Sequence, residues 1–393
     1  MIGIGTERAA LAAPAPRRTI VILDIVRWMS ALEVVLGHVR DLLFVDFRNL
    51  VDTGFAAKLF YFATSFGDEA VIIFFVLSGY LVGGKVVADR RAGRFSWRDY
   101  LIDRFSRIYI VLVPALLLTL VCDRVGPRLF AGASVYAAGN WSPTFHADYV
   151  AHGAWPVLAC NLANLQFFVC PAYGSNGPLW SLGMEWAYYL SFPAGLALLR
   201  NPAPNVGYAI RLALVLLIAA LGYRVAQAAV LLYPIWFMGI AAHAAAGRRR
   251  IGLSAAILGA VALAVSLPAT RFGYVDSTLG LYAIGASVAL LLASTPLQRM
   301  TFAAGANRAL ADFSYSLYAT HFPLALFFIA FLQHEGLALG RVRVSLSGMS
   351  VFAGVTLALY GASYLFAQAT ERRTGALRGW LKRALAARAA IAP

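Results

Sequence analysis

The first apolar segment of the chain carries an arginine and a histidine at a spacing that could serve chemistry. Arg27 and His38 are eleven residues apart, which places both side chains on one face of a helix, about 16 Å apart along its axis. Asp24 lies on the same stripe and can pair with the guanidinium, whereas Glu33 projects away from it. The stripe suits a long anionic ligand with its reactive end at the imidazole. Hydrogen bonding between helices, with no chemistry, is the structural alternative.

Two later apolar segments carry ionisable groups at a similar predicted depth. Glu185 lies about two turns into the segment that begins with GPLWSL, and His321 follows Ser316 in the ninth segment. A carboxylate at membrane depth has to be protonated or partnered. Each of these residues alone is more typical of a structural hydrogen bond. Together with His38 they indicate a functional interior.

A pair of arginines marks the inner end of the third segment. Arg104 and Arg107 are three residues apart and therefore share one helix face. Their forked donors could hold the phosphates of a polyanion. Arginines that only fix the topology of a membrane protein would show the same pattern, and the spacing does not separate the two interpretations.

The elements that position these residues are predicted to be membrane-spanning helices. The chain is 61% apolar and 13% charged, about half the charge of an average soluble domain. Its apolar blocks are long enough to cross a bilayer of about 30 Å. The prediction is an all-α, polytopic bundle of ten spans, at residues 20–42, 68–88, 101–121, 178–199, 206–222, 225–245, 251–267, 277–293, 309–331 and 345–368.

The distribution of basic residues predicts the orientation of this bundle. With the N-terminus inside, the inner segments and adjoining helix ends hold 23 of the 33 lysines and arginines. Both termini are therefore predicted to be cytoplasmic, in what we expect to be a bacterial inner membrane. A net charge of +15 could suggest nucleic acid, but the basic residues are divided among short inner loops, so we expect the bilayer as partner and no nucleic acid.

The regions outside the spans are predicted to play supporting roles. Residues 1–18 read as a disordered tail, 19–370 as the membrane domain, 123–177 as an outer cap, and 371–393 as a basic helix on the anionic inner surface. Cys160 and Cys170 lie in the cap, where an oxidising compartment could pair them. Two packed apolar thiols are the favoured interpretation. The sequence predicts no metal site.

Five motifs in order along the chain resemble those of the acyltransferase 3 family of integral membrane acyltransferases. The resemblance covers Leu23 to Glu371 without an esterase-like second domain. The motifs are LDIVRWMSALEVVLGH, FFVLSGYLVGG, RFSRIY, GPLWSLGMEWAYYL and SYSLYATH. Each is weak alone, but all five on ten predicted spans are specific.

The resemblance implies roles for individual residues. His38 resembles the essential histidine of the family and Arg27 its paired arginine. Arg104 and Arg107 resemble the basic pair that the family places near the acyl-CoA phosphates, and Glu185 resembles the acid after PLWSL. Ser78 and Gly79 match the close-packed serine and glycine of the second span, and His321 matches a supporting histidine. We also expect Ser181, Ser316 and Asp24 to support the site.

One departure from the family pattern leaves the partner of His38 open. Many relatives carry an aspartate two residues before the FF pair, where this chain has Ile72. If that aspartate normally partners the histidine, then Asp68, Glu69 or Glu185 is expected to replace it.

The resemblance implies acyl transfer from acyl-CoA, most simply acetyl-CoA, to a hydroxyl of a glycan or another envelope or secreted acceptor. The donor is a substrate, and no permanently bound cofactor is expected. His38 would act as general base, Glu185 would orient the imidazole or the acceptor, and Arg27 would stabilise negative charge. A covalent acyl-histidine relay remains open, as does the oligomeric state. The rival class is a transporter or flippase, since a polar-lined bundle also suits a substrate pathway.

Overall fold

The computed structural model describes residues 20–50, 54–136, 149–200, 227–246, 251–337 and 341–391. These parts contain helices and two isolated β-bridges but no strand. The helices, numbered α1 to α16, are Val21–Leu43, Phe55–Ala63, Gly67–Ser78, Gly84–Arg91, Trp97–Leu129, Tyr149–His152, Trp155–Leu162, Trp180–Arg200, Gln227–Ala246, Leu253–Arg271, Ser277–Ala293, Thr295–Gln298, Ala304–Ala311, Ser314–His334, Leu346–Ala369 and Thr374–Ile391.

Six helical runs in the described parts are long and apolar enough to cross a bilayer: Phe55–Arg91, Trp97–Leu129, Gln227–Ala246, Leu253–Arg271, Ser314–His334 and Leu346–Ala387. The protein is an integral membrane protein built from helices. Nine of the ten predicted spans coincide with helices, and the predicted span at 206–222 lies outside the described residues. The count of ten spans and the cytoplasmic placement of the termini stay predictions.

Several helices begin at a residue that the sequence marks as a cap. Ser96 precedes α5 and accepts a hydrogen bond from the backbone N–H of Asp99, and Ser345 caps α15 in the same way. Asp276 accepts two such bonds at the start of α11. Each cap satisfies backbone donors that the first turn leaves free, so the starts of these helices follow from local chemistry.

Helix α3 continues through a π-helical turn, Gly79–Gly83, into α4. A Cβ on Gly79 would overlap the backbone carbonyl of Trp236 on α9, and one on Gly239 would overlap the backbone of Val76. The two helices therefore pack backbone to backbone, as small residues permit in membrane proteins. This contact also places the indole N–H of Trp236 3.2 Å from the hydroxyl of Ser78, to which it donates.

The buried apolar side chains form two clusters. One joins α3, α5, α8, α9 and α11, and the other joins α1, α14 and α15 with Ala133, Val135 and Tyr149. Helix α14 contributes to both clusters, with Tyr318 in the first and Phe322 in the second. The helix that carries His321 therefore lies at the centre of the fold.

The segment between α7 and α8 is closed by a disulfide between Cys160 and Cys170. The expectation of two packed thiols was therefore wrong. A compact loop brings the two cysteines together: Asn161 donates to the backbone carbonyls of Val157 and Pro171, and the buried Gln166 donates to the carbonyl of Leu179 at the start of α8. Such loop geometry has no periodic pattern that the sequence would reveal.

Candidate active site

A cavity of about 180 Å³ lies among α1, α3, α5, α8 and α14. Its polar lining consists of three arginines, one glutamate and a set of hydroxyls: Arg27, Arg104, Arg107, Glu185, Ser78, Ser181, Tyr189, Ser314, Tyr315 and Tyr318. The remaining lining is apolar and comes mainly from α3. A smaller hollow of about 80 Å³ adjoins it at Val82 and Arg104 and extends into the connection predicted to face the cytoplasm.

The three arginines differ in how they are held. The guanidinium of Arg107 forms an ion pair of 2.6 Å with Glu371. Arg27 lies 3.9 Å from its predicted partner Asp24. Arg104 lies about 6 Å from two tyrosine rings, and its buried Nε has no hydrogen-bond partner among the described residues. Of the three, Arg104 is therefore the cation most available to a ligand in the cavity.

Glu185 lies in the arginine-lined cavity, close to the hydroxyls of Ser78 and Tyr189. Those two hydroxyls are themselves 3.0 Å apart and hydrogen-bonded. The structure thus brings Glu185 together with the predicted donor-site residues Ser78 and Arg104. It does not pair the carboxylate with His38, and the expected orientation of the imidazole by this acid is not found in the geometry.

The imidazole of His38 is paired instead with that of His321. Nδ1 of His38 lies 2.8 Å from Nε2 of His321, and the two rings are stacked with a tilt of 7°. On the far side, Nδ1 of the fully buried His321 lies 2.8 Å from the carbonyl oxygen of Tyr318 and 3.2 Å from that of Leu317. The ring of Phe322 packs against that of His38, with the two planes nearly perpendicular. The sequence predicted these two histidines at one depth, and the structure shows that they touch.

Tyr318 connects the histidine pair to the cavity. Its carbonyl oxygen receives the hydrogen bond from His321, while its ring lines the cavity. Its hydroxyl donates to the backbone carbonyl of Pro178 at 2.6 Å. The same hydroxyl lies 2.7 Å from the hydroxyl of Ser181. The predicted support residue Ser181 therefore helps to fix Tyr318 in place. Tyr318 is the residue that lies between the histidine pair and the arginine-lined cavity.

The other acidic candidates lie apart from the histidines. Asp68 and Glu69 open α3, and one buried oxygen of Glu69 has no hydrogen-bond partner in the described structure. Glu33 accepts a hydrogen bond from the backbone N–H of Phe66 before the same helix. None of the three is hydrogen-bonded to His38 in the described parts. Ser316 donates from its backbone N–H and its hydroxyl to Glu371 and has no contact with the cavity.

Glu371 is the functional candidate that the sequence reasoning missed. It lies three residues after the last predicted span, at the start of the predicted tail. A signal was present, because no acidic residue occurs between Glu335 and Glu371. A single acid at the inner end of such a run, at the predicted level of Arg107, is a candidate partner for a buried cation.

The described residues contain no group of three His, Cys, Asp or Glu side chains that could hold a metal ion. The site brings together an imidazole pair and a cavity lined by three arginines, within the helices of an integral membrane protein.

Residues 20–368 match the family described as acyltransferase domain. The chain belongs to this family, whose members transfer acyl groups other than aminoacyl groups. It is 30% identical over 175 residues to acyltransferase MdmB of Streptomyces mycarofaciens, which is 44% of this chain and 38% of the relative. It is also 27% identical over 147 residues to an O-acetyl transferase of Shigella phage Sf6, which is 35% of this chain and 37% of that relative. Each alignment thus spans less than half of the length of the relative concerned. No solved structure matches the chain.

Proposed function

We propose that the protein transfers an acyl group, most simply acetyl, from acyl-CoA on the cytoplasmic side to a hydroxyl of a glycan or another envelope or secreted acceptor. The observation that carries the proposal is the hydrogen bond between His38 and His321, one residue away from the cavity lined by three arginines. The pair supplies a base, and the arginines supply a site for the phosphates of the donor. The family membership supports the reaction type.

The hydrogen bonds of the pair specify which nitrogen can act as the base. Nδ1 of His321 faces two carbonyl oxygens, which only accept, so this nitrogen carries the proton. In a neutral imidazole the other nitrogen is then an acceptor. Nε2 of His321 therefore accepts from Nδ1–H of His38. The lone pair of His38 is left on Nε2, as a general base requires.

The proposed reaction follows from that lone pair. Nε2 of His38 removes the proton of the acceptor hydroxyl as its oxygen attacks the thioester carbonyl. A C–O bond forms, the C–S bond breaks, and the thiolate of CoA leaves and takes the proton from the imidazolium. Proton transfer of this kind contributes about 10²- to 10⁴-fold. Arg27 would stabilise negative charge on the donor or on the oxyanion.

The donor site is proposed to extend from the cavity toward the inner side. Arg104 and Arg107 would bind the phosphates by charge-assisted hydrogen bonds. Glu185 lies among these residues, near the hydroxyls of Ser78 and Tyr189, so we assign it to the donor side. The acceptor would enter from the outer face, in a bacterial inner membrane.

Reconstitution into proteoliposomes tests the proposal. Vesicles that contain the protein are supplied with labelled acetyl-CoA, and an extract of envelope glycans is supplied on the opposite side. The proposal predicts labelled ester that wild-type protein forms and His38→Ala does not, at equal amounts of inserted protein. Equal labelling by both proteins would refute the proposed base. Movement of unmodified glycan without label would favour a transporter.

A further inference from the structure

Three ion pairs connect α5 with the C-terminal segment in the form of a ladder. Arg107 pairs with Glu371 at 2.6 Å, Asp103 pairs with Arg378 at 3.0 Å, and Asp99 pairs with Lys382 at 2.8 Å. On α5 the three residues are spaced four apart and therefore share one face. The C-terminal segment runs antiparallel to that face. The predicted tail thus packs on the helix that carries two of the cavity arginines.

Burial increases along this ladder toward the cavity. The side chains of Asp99 and Lys382 are 56% and 43% exposed, whereas that of Glu371 is 3% exposed. The second oxygen of Glu371 accepts hydrogen bonds of 2.9 Å from both the backbone N–H and the hydroxyl of Ser316 on α14. This carboxylate is therefore fixed by α14 on one side and holds Arg107 on the other.

Arg107 needs such a counter-charge to stay where it is. It lies near enough to Arg27 for the two like charges to repel each other. The ring of Tyr315 also lies beside it, with the guanidinium carbon 5.4 Å from the ring centre, and this contact gives no directional bond. Without Glu371, repulsion would turn the guanidinium of Arg107 away from Arg27 and out of its place in the cavity wall.

We propose that α16, together with the preceding Glu371, is a clasp that positions Arg107 for the donor. Glu371 is the positioning residue, and the two outer ion pairs hold α16 against α5 and so keep Glu371 in place. This inference rests on the proposed function for the identity of the donor. The clasp affects the affinity for the donor and not the rate of the acyl-transfer step. The reason is that Glu371 contacts Arg107 and does not contact either histidine of the pair.

Two exposed arginines of the C-terminal segment offer a matched control. Arg373 and Arg383 are exposed residues of the same segment, and neither belongs to the ladder. A variant with Arg373→Gln and Arg383→Gln loses the same charge as one with Arg378→Gln and Lys382→Gln. If α16 only attracted anionic lipid, both double variants would behave alike.

The test measures KM for acetyl-CoA and kcat in proteoliposomes. The Arg378→Gln, Lys382→Gln variant is expected to raise KM about three- to tenfold, as the loss of two partly exposed ion pairs would, with kcat within twofold. The control variant should match wild type. Asp103→Arg and Arg378→Asp should each raise KM alone, and the two together should restore it. Glu371→Gln should raise KM tenfold or more.

A binding experiment separates failure of the clasp from failure of the proposed function. Coenzyme A itself is titrated against the purified protein while its thermal unfolding is followed. If coenzyme A does not raise the Tm of the wild type, the assigned donor is wrong and the clasp has no role in binding it. A second outcome is that coenzyme A raises the Tm of the wild type, and the Arg378→Gln, Lys382→Gln variant needs no more coenzyme A than the control variant for the same rise. In that outcome the donor stands and the clasp is refuted.

Discussion

Replacement of His321 tests how the histidine pair sets the base. The side chain of His321→Gln reaches about as far as the imidazole and presents a carbonyl oxygen where Nε2 accepts the proton of His38. His321→Leu fills much of the same volume and presents no acceptor. Only the leucine variant leaves the N–H of His38 buried without a partner.

The expected loss follows from the cost of that unpaired group. A buried donor without an acceptor costs about 1–3 kcal/mol, and His38 can avoid the cost by moving its proton to Nε2 or by rotating. Either response removes the base, and 1.4 kcal/mol corresponds to a tenfold loss of rate. We therefore expect His321→Leu to lower kcat by about 10- to 100-fold, with KM for acetyl-CoA unchanged, and His321→Gln to stay within about fivefold of wild type.

The assay is transfer of labelled acetyl from acetyl-CoA in proteoliposomes, at equal amounts of folded protein. A second readout is the ¹⁵N spectrum of protein labelled at histidine, where His38 should show a protonated Nδ1 and an unprotonated Nε2. The signal of His38 is assigned by its loss in His38→Ala. The reasoning is refuted if the glutamine and leucine variants are equally impaired, or if His38 carries its proton on Nε2.

Three further predictions concern the donor, the topology and the packing of the bundle. Arg104→Gln should raise KM for acetyl-CoA tenfold or more with kcat nearly unchanged, because charge-assisted bonds are worth about 1.5–3 kcal/mol, and the defect should shrink with donors that lack the nucleotide phosphates; a fall in kcat alone would contradict this. A single cysteine at Arg94 should react with an impermeant reagent only from the cytoplasmic side and one at Tyr274 only from outside, and the reverse pattern would exchange the donor and acceptor faces. Gly79→Ala should abolish accumulation of folded protein, because its Cβ would overlap the facing backbone of α9, whereas Gly354→Ala, which has open space around it, should accumulate normally.

Apolar patterning predicted most of the helices, because long apolar runs broken by loops are a local property of the chain. The charged residues that line the cavity were also marked in this way, since charged groups at membrane depth stand out, and Arg27, Arg104 and Glu185 all line one cavity. Ser78 lines it too, but only the family resemblance pointed to that serine. Their individual roles stay predictions.

The pairing of these residues could not be read from the sequence. Depth placed His38, Glu185 and His321 in one layer, but spacing along a helix does not give the rotation of that helix against its neighbours. In the structure α14 turns His321 toward His38, while Glu185 faces the arginines. Glu371 escaped notice for a similar reason, since its partner Arg107 is distant along the chain.

The most direct measurement of the central claim is the mass of the acceptor. Envelope glycans are compared by mass spectrometry from cells that express wild-type protein, His38→Ala or no protein, with membrane insertion of the variant checked by immunoblot. The account predicts a gain of one acyl mass, most simply acetyl, with wild type only, and loss of that mass on mild base treatment that cleaves esters. The same acyl mass with His38→Ala at comparable levels would contradict the assignment of His38 as the base.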